Sequence, residues 1–349
     1  MKVLYIFTNT PGQSRRGVAG RDYPDAGLYG LNHMEAEDIT ADYKESKELF
    51  SRPVARLLGF RLRHFLMFFA TGGYDIVFGS PLVYMLFWKK IIPTRRKFIL
   101  FNISLVRLLE SNRHHPLKYA LIRWLLSQAD GIVNLSLFQQ EYLARTVPAL
   151  AGRMRVVPLG IDAAFFNPNR PRKDFLLAIG RDNGRDYKTV IEVARALPNK
   201  QFVIVCSKRN LIGVGDIPQN VTVQYDIPPA QARQLLEEAF ALLLIIRGDT
   251  DKEGADCSGQ TVLLEAMASG CPIIATRKAY LMHDEYAVEG KEALFVPVGG
   301  VQEICSSIRS LEDSSVRLAL SHGARQRAEK LSTVRMGKEL ADFFKQIYT

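Results

Sequence analysis

Charged and small residues gather where predicted strands of the second half end, in positions suited to binding a phosphate group. The first cluster follows the predicted strand Phe175–Ile179, where Gly180 and Arg181 come at once and Arg185 stands just before a predicted helix. Two guanidiniums at such a turn can hold a pyrophosphate through paired hydrogen bonds. The alternative is that both arginines are solvated loop charges paired with neighbouring aspartates.

The second cluster is a short polar turn that opens a predicted helix over Val262–Ser269. One carboxylate, Glu265, lies on an otherwise apolar run of that helix. A carboxylate there is costly unless something hydrogen-bonds to it, and vicinal ribose hydroxyls would do so. The alternative is an ordinary glutamate on a solvent-facing helix position. The candidate ligand-binding residues of this cluster are Ser258, Gly259, Gln260, Thr261, Val262 and Glu265.

A third candidate is the end of the apolar run Val203–Cys206, which is followed by a serine and then by Lys208 and Arg209. These cations would lie at the same edge of a parallel sheet as the first two clusters, beside the base of a bound nucleotide. An ordinary exit from a strand into a loop explains the pattern equally well.

The elements that would position these residues alternate regularly between short apolar runs and helical patterns. This alternation is typical of βα units and of parallel sheets covered on both faces. Strands are expected at Lys2–Phe7, Tyr74–Phe78, Lys97–Phe101, Gly131–Asn134, Phe175–Ile179, Phe202–Cys206, Val221–Gln224, Ala241–Ile246, Pro272–Ala275 and Ala293–Val296. Helices are expected at Arg56–Ala70, Leu117–Ser127, Leu137–Thr146, Lys188–Ala196, Pro229–Ala239, Val262–Ser269, Val301–Leu311, Val316–Lys330 and Val334–Tyr348.

The stretch Arg155–Arg172 is dense in Pro, Gly and Asn and poor in periodicity, and it is expected to link two domains. We therefore predict an α/β protein with two doubly wound, Rossmann-like domains facing a cleft. Residues 1–158 would form the first domain and residues 159–330 the second, which carries the candidate ligand-binding residues. Residues 331–349 would form a C-terminal helix with no strand after it, free to cross back to the first domain.

Composition restricts the class of protein. The chain has 47% hydrophobic and 23% charged residues, and its first apolar run ends by Asn9, too soon for a signal peptide. No apolar run is long enough for a spanning helix. The four cysteines have no metal-ligand spacing and do not suggest a disulfide framework. These features predict a cytoplasmic protein, with peripheral contact at the inner face of a membrane left open.

The net charge of +10 is concentrated in one segment. Ser51–Leu125 contains thirteen Lys or Arg residues against two Asp or Glu, a local balance of +11. A basic surface that also carries aromatic residues suits an anionic membrane leaflet. The alternative is that the apolar residues are core and the cations only aid solubility. The cations expected on this surface are Arg52, Arg56, Arg63, Arg95 and Arg96.

Three motifs, taken in order and spacing, resemble the retaining glycosyltransferases of family 4, which have the GT-B fold. They are Val156-Val-Pro-Leu-Gly-Ile-Asp-Ala-Ala-Phe-Phe-Asn-Pro168, then Ile179-Gly-Arg181, then Val262-Leu-Leu-Glu-Ala-Met-Ala-Ser-Gly-Cys-Pro-Ile-Ile-Ala-Thr276. The resemblance is specific over about Val156–Val298 and only architectural before it. It implies that Arg181 and Arg185 bind the donor pyrophosphate.

By the same resemblance, Glu265 is the second glutamate of a Glu-x7-Glu motif and binds the ribose. The chain departs from the family pattern where the first glutamate is expected, because Cys257 stands there. Arg185 also replaces a more usual lysine. Family members often carry an acceptor-side histidine after a strand, and neither His114 nor His115 can be assigned that role.

We therefore predict a retaining, metal-independent hexosyltransferase that uses a UDP- or GDP-linked sugar and needs no cofactor. The acceptor would be a membrane lipid, a lipid-linked glycan or a soluble small molecule. Asp249 and Asp251 have the spacing of a metal site but not its place at a strand end. A nucleotide-sugar epimerase or hydrolase is the alternative enzyme. The hypothesis that the protein binds nucleic acid rests on the isoelectric point alone, and no specific nucleic-acid partner is expected.

Overall fold

The computed structural model describes residues 1–8, 11–45, 59–248, 256–282 and 285–349. These residues form two compact units. Unit 1 comprises 1–19, 27–158 and 333–349, and unit 2 comprises 20–26 and 159–332. Each unit contains one six-stranded parallel sheet with helices packed against it, so the predicted α/β class with two doubly wound domains is confirmed.

The sheet of unit 1 has the strand order β2-β1-β3-β4-β5-β6, and every pair in it is parallel. The central strands are buried because helices cover both faces, which explains their nearly continuous apolar sequence. The strands are β1 Lys2–Phe7, β2 Thr40–Glu45, β3 Ile76–Gly79, β4 Lys97–Asn102, β5 Gly131–Asn134 and β6 Met154–Val156.

The helices of unit 1 bury one face against this sheet. Ser136 begins one of them as predicted, because its Oγ accepts a hydrogen bond from the backbone N–H of Gln139 at 3.4 Å. The helices are α1 Pro11–Ala19, α2 Gly59–Ala70, α3 Met85–Ile91, α4 Leu105–Glu110, α5 Pro116–Ser127, α6 Leu137–Thr146 and, from the C-terminus, α12 Thr333–Tyr348.

Helix α12 returns to the first sheet, as the sequence allowed. The Phe344 ring lies 5.1 Å from that of Phe78, centroid to centroid. A Cβ on Gly131 of β5 would lie only 2.9 Å from the ring of Phe343, so the helix approaches the strand closely. The aromatic contacts explain why the last residues of the chain belong to unit 1.

Unit 2 has the strand order β12-β11-β10-β7-β8-β9, again all parallel. In this order β7 lies between β10 and β8, at the centre of the sheet. The strands are β7 Phe175–Ile179, β8 Gln201–Cys206, β9 Val221–Tyr225, β10 Ala241–Leu244, β11 Ile273–Thr276 and β12 Leu294–Val296. The helices are α7 Tyr187–Ala196, α8 Pro229–Glu238, α9 Gln260–Ala268, α10 Val301–Ser310 and α11 Ser314–Lys330.

The sequence missed two strands, β2 and β6, and three short helices, α1, α3 and α4. Strand β6 is formed by Met154–Val156 and pairs with β5, so the strand extends into the stretch Arg155–Arg172 that was predicted to be linker. The start of that prediction was wrong. Its cause is the brevity of β6, which at three residues has no measurable periodicity.

The last part of the predicted linker, residues 167–172, is hydrogen-bonded to helix α8 of unit 2. The buried carboxylate of Glu237 accepts hydrogen bonds from the backbone N–H of Asn167 at 2.8 Å and from Nε of Arg170 at 2.9 Å. Nη1 of Arg172 donates to the carbonyl of Leu236 at 2.8 Å. These contacts make the segment after Leu159 part of unit 2, even though its sequence resembles a loop.

Candidate functional site

The three predicted clusters of unit 2 lie at one edge of its sheet, where the parallel strands end. Strand β7 leads into the turn 180–186 and then into helix α7. The neighbouring strand β10 is followed, after residues outside the described ranges, by helix α9. The carboxyl edge of a parallel sheet is where α/β proteins bind their ligands.

The turn 180–186 is held in one conformation by its own aspartates. Oδ1 of Asp182 accepts hydrogen bonds from the backbone N–H of Gly184 at 2.7 Å and from Oγ of Ser258 at 2.6 Å. Asp186 caps helix α7 by accepting from the backbone N–H of Thr189 at 3.1 Å. The hydrogen bonds of both carboxylates therefore go to the turn itself, to helix α7 and to Ser258. In the described part of the chain they do not go to the side chains of Arg181 or Arg185.

Arg185 is the central cation of the site. Its backbone forms an isolated bridge with Ile246, just beyond β10, and the residue is only 5% exposed. Nε and Nη1 of this guanidinium have no hydrogen-bond partner among the described residues. A buried cation with unsatisfied donors is costly unless an anion completes it, so the arrangement suits a bound phosphate group.

Two glycines make room for the Arg185 side chain. A Cβ on Gly180 would collide with Nε of Arg185, and the backbone φ of Gly180 is +149°. A Cβ on Gly259, whose φ is +89°, would lie 3.3 Å from Nη1 of Arg185. Both positions therefore require glycine for space as well as for backbone conformation.

Helix α9 points its N-terminus at the same place. Within the described ranges no side chain caps this end, where Gly259 takes a left-handed conformation and Gln260 begins the helix. Nε2 of Gln260 donates to the carbonyl of Tyr280 at 3.1 Å, whereas its buried Oε1 has no partner among the described residues. Free N–H groups and the positive end of the helix dipole attract anions, so they reinforce the field of Arg185.

Glu265 lies one turn into α9 and is half-buried. Burial raises the pKa of Glu265 to about 7, and the positive charge of Arg185 opposes that rise. Burial likewise lowers the pKa of Arg185, against the opposing influence of Tyr187, Asp182, Tyr280 and Glu265. Arg185 and Glu265 therefore lie close enough for their charges to influence each other.

Arg181 and Lys208 lie apart from Arg185 and Glu265. The Arg181 side chain is 72% exposed, and its Nη1 is 3.6 Å from the carboxylate of Asp226, which follows β9. Lys208 is exposed after β8. The two arginines that were expected to bind one pyrophosphate together therefore lie on opposite sides of β7. This separation follows from the strand order, which the sequence does not predict.

Cys257 stands where the resemblance to family 4 leads us to expect a glutamate. Burial raises the pKa of its thiol to about 12, with a smaller contribution from Asp256. The group is therefore an uncharged, weak hydrogen-bond donor at neutral pH. Of the remaining predicted residues, Thr261 is exposed and Val262 is half-buried.

Several residues that support the site were not predicted. Tyr187 donates to the carbonyl of Gly180 at 2.5 Å, and Nδ2 of Asn210 donates to the carbonyl of Asp182 at 3.1 Å. Thr276 at the end of β11 accepts a hydrogen bond from the backbone N–H of Ile246 at 2.8 Å. Thr276 ends a strand and Asn210 follows one, whereas Tyr187 begins helix α7, so the three residues share no single sequence signal.

The described part of the chain contains no group of three or more His, Cys, Asp or Glu side chains that could hold a metal ion. Asp249 and Asp251, the pair with metal-like spacing, lie outside the described residues.

Sequence comparison connects the unit that carries the site to a known family. Residues 174–314 match the family of group 1 glycosyl transferases. This match begins just before β7 and ends in helix α11, so it includes the turn with Arg185 and the whole of α9. No curated protein sequence matches the chain.

Solved structures share the fold over the whole chain. Sucrose-phosphate synthase of Thermosynechococcus elongatus is similar with a TM-score of 0.72 and 15% identity, over 100% of this chain and 99% of that one. HepE of Anabaena in complex with UDP-glucose has a TM-score of 0.66 and 13% identity, over 99% and 100%. A glycosyltransferase of Rickettsia africae has a TM-score of 0.65 and 14% identity, over 99% and 98%. The shared fold and the match over 174–314 together support a glycosyltransferase of the GT-B fold.

Proposed function

We propose that the protein transfers a sugar from a nucleoside diphosphate sugar to an acceptor, with retention of anomeric configuration. The observation that carries the proposal is the buried guanidinium of Arg185, whose Nε and Nη1 lack hydrogen-bond partners among the described residues. Glu265 and the uncapped N-terminus of α9 lie beside it. A nucleoside diphosphate offers the pyrophosphate and the ribose hydroxyls that such a site needs.

In the proposed reaction, the bond between the anomeric carbon and the β-phosphate oxygen breaks, and a bond from the anomeric carbon to the acceptor oxygen forms on the same face. The proton of the acceptor hydroxyl goes to the departing phosphate. Charge builds up on that phosphate in the transition state. Arg185 and the N–H groups of α9 stabilise this charge by electrostatics alone.

Transfer is tested by incubating the protein with a labelled UDP- or GDP-sugar, with and without a lipid extract or soluble glycans as acceptors. Acceptor-dependent formation of a labelled product supports the proposal, and its anomeric configuration reports retention. Release or isomerisation of the sugar without any acceptor would instead indicate a hydrolase or an epimerase.

We expect Gly180→Ala to weaken binding of the donor about tenfold, because the added Cβ displaces Nε of Arg185 from its place. Titration calorimetry with the nucleotide sugar measures this loss. Gly213→Ala is the matched control, since Gly213 also has a positive φ, +76°, but its Cβ would contact nothing within 4 Å. Equal donor affinity in the Gly180 variant and the wild type would show that this turn does not contribute to donor binding.

We expect transfer to continue unchanged in EDTA, because the phosphate charge is balanced by Arg185 and a helix N-terminus rather than by a metal ion. The test compares initial rates in EDTA-treated enzyme with and without added Mg²⁺ or Mn²⁺. Activity that disappears with EDTA and returns with either ion would contradict metal independence and would implicate Asp249 and Asp251.

A further inference from the structure

Helix α5 of unit 1 has an apolar stripe on the face that is not buried. Leu117, Leu121 and Trp124 recur at the helical spacing i, i+4 and i+7, and they are 88%, 45% and 40% exposed. The buried residues of the same helix, such as Ile122 and Leu125, already supply its contact with the core. The exposed stripe therefore does not take part in the hydrophobic core of unit 1.

The neighbouring helices α2 and α3 continue this apolar surface. The ring of Phe87 on α3 lies 6.4 Å from that of Trp124, and Trp88 lies 4.6 Å from Phe65 on α2. A row of touching rings thus connects three helices, with Phe69 exposed at its far end. We call this surface the aromatic band, and its exposed members are Phe69, Phe87, Ile91, Leu117, Leu121 and Trp124.

Exposed cations accompany the aromatic band on the same helices. Lys90 lies on α3, Arg95 follows that helix, and Lys118 and Arg123 lie on α5. The whole of Ser51–Leu125 has only two acidic residues to balance its cations. A contiguous exposed apolar surface is typical of an interaction site, and cations on the same helices favour an anionic partner.

The basic surface expected from the sequence is revised by this arrangement. Arg96 is half-buried, with Nη1 donating to the carbonyl of Phe68 and to Oγ1 of Thr71, both at 2.6 Å. It therefore serves the fold of unit 1 and is not free to meet a lipid. Arg52 and Arg56 lie outside the described residues, as does the side chain of Arg63.

We propose that the aromatic band is a docking surface for an anionic lipid bilayer. Tryptophan and phenylalanine prefer the interface between headgroups and acyl chains, and a shallow apolar face suffices for peripheral binding. No helix in the described ranges could span a membrane. The inference rests on the proposed transfer function only in naming a membrane lipid as acceptor, since lipid binding is measured without any donor.

The charge part of this proposal is tested by flotation of the full-length protein with phosphatidylcholine vesicles, with or without phosphatidylglycerol. We expect the protein to bind the anionic vesicles more strongly than the neutral ones. The double change Lys90→Ser with Lys118→Ser should weaken binding to the anionic vesicles about 30-fold. Lys291→Ser with Lys330→Ser is the matched control, because it removes two exposed lysines of unit 2 and leaves the same net charge. Equal losses in both pairs would contradict a localised surface.

The apolar part is tested with Trp124→Ser at high salt, where charge attraction is screened. We expect the residual binding of the wild type to be lost in this variant and retained in Leu318→Ser, an equally simple loss of an exposed apolar residue on unit 2. No binding to either vesicle, or light scattering that shows a dimer broken by Trp124→Ser, would overturn the membrane assignment. Unchanged donor binding in all variants keeps this result separate from the proposed transfer reaction.

Discussion

Replacement of Arg185 by methionine is expected to slow sugar transfer about 100- to 1000-fold while making the unliganded protein more stable. The first effect follows because a buried donor aimed at developing charge contributes that much to catalysis. The second follows because Arg185 is buried and two of its guanidinium nitrogens have no hydrogen-bond partner among the described residues. An apolar side chain of similar length would bury no unsatisfied polar group there. Initial rates and thermal unfolding without ligand measure the two effects.

Two other arginines provide the comparison. Arg195 is exposed and donates a hydrogen bond to the carbonyl of Asp216 at 2.6 Å, so Arg195→Met should change neither quantity greatly. Arg181→Met should leave unliganded stability nearly unchanged, because an exposed ion pair contributes little. If Arg185→Met instead destabilises the protein and leaves transfer intact, Arg185 is a structural residue and its assignment to the phosphate is wrong.

Glu265→Gln is expected to weaken donor binding about 10- to 100-fold at pH 8, the value of one strong hydrogen bond to a charged group. The wild type should also bind the donor more weakly as pH falls through about 7, the raised pKa of Glu265, because protonation removes an acceptor for the ribose hydroxyls. In Glu265→Gln this dependence should vanish. Calorimetric titration with an intact nucleotide sugar between pH 6 and 8.5 measures both.

Stability should respond to pH in the opposite direction. The folded-state pKa of Glu265 lies above its usual value near 4.3, so the folded protein favours the protonated form. This contribution to stability is complete below the usual value and is lost as pH rises through about 7. Glu303→Gln, which alters an exposed glutamate of α10 and leaves Glu265 in place, should bind the donor as the wild type does and keep both pH dependences. Donor affinity that is independent of pH in the wild type would remove Glu265 from the ribose site.

The sequence predicts the central strands well and the edge strands poorly, for a physical reason. Strands β1, β5 and β7 begin and end where their apolar runs do, because burial on both faces leaves little room for polar residues. Strand β2, with the sequence Thr-Ala-Asp-Tyr-Lys-Glu, is at the sheet edge and mostly exposed or half-buried. Its sequence carries no apolar signal, and only its pairing with β1 defines it.

The candidate site shows the same division between what is local and what depends on topology. The turn after β7 and the helix with Glu265 are local patterns, and the sequence locates both. The different surroundings of Arg181 and Arg185 depend on which strands flank β7, and no spacing of residues encodes that order. The aromatic band could likewise not be predicted from the sequence, because its members come from three helices that only the packing of unit 1 brings together.

The most direct test of the account is a thermal unfolding series with UDP- and GDP-sugars in buffer that contains EDTA, on the wild type and on Arg185→Met. A ligand that binds only the folded state raises the unfolding temperature in proportion to the logarithm of its concentration over its Kd. The account predicts that at least one nucleotide sugar stabilises the wild type and that the same compound leaves the higher unfolding temperature of Arg185→Met unchanged. Equal stabilisation of both proteins, or of neither by any nucleotide sugar, would contradict it.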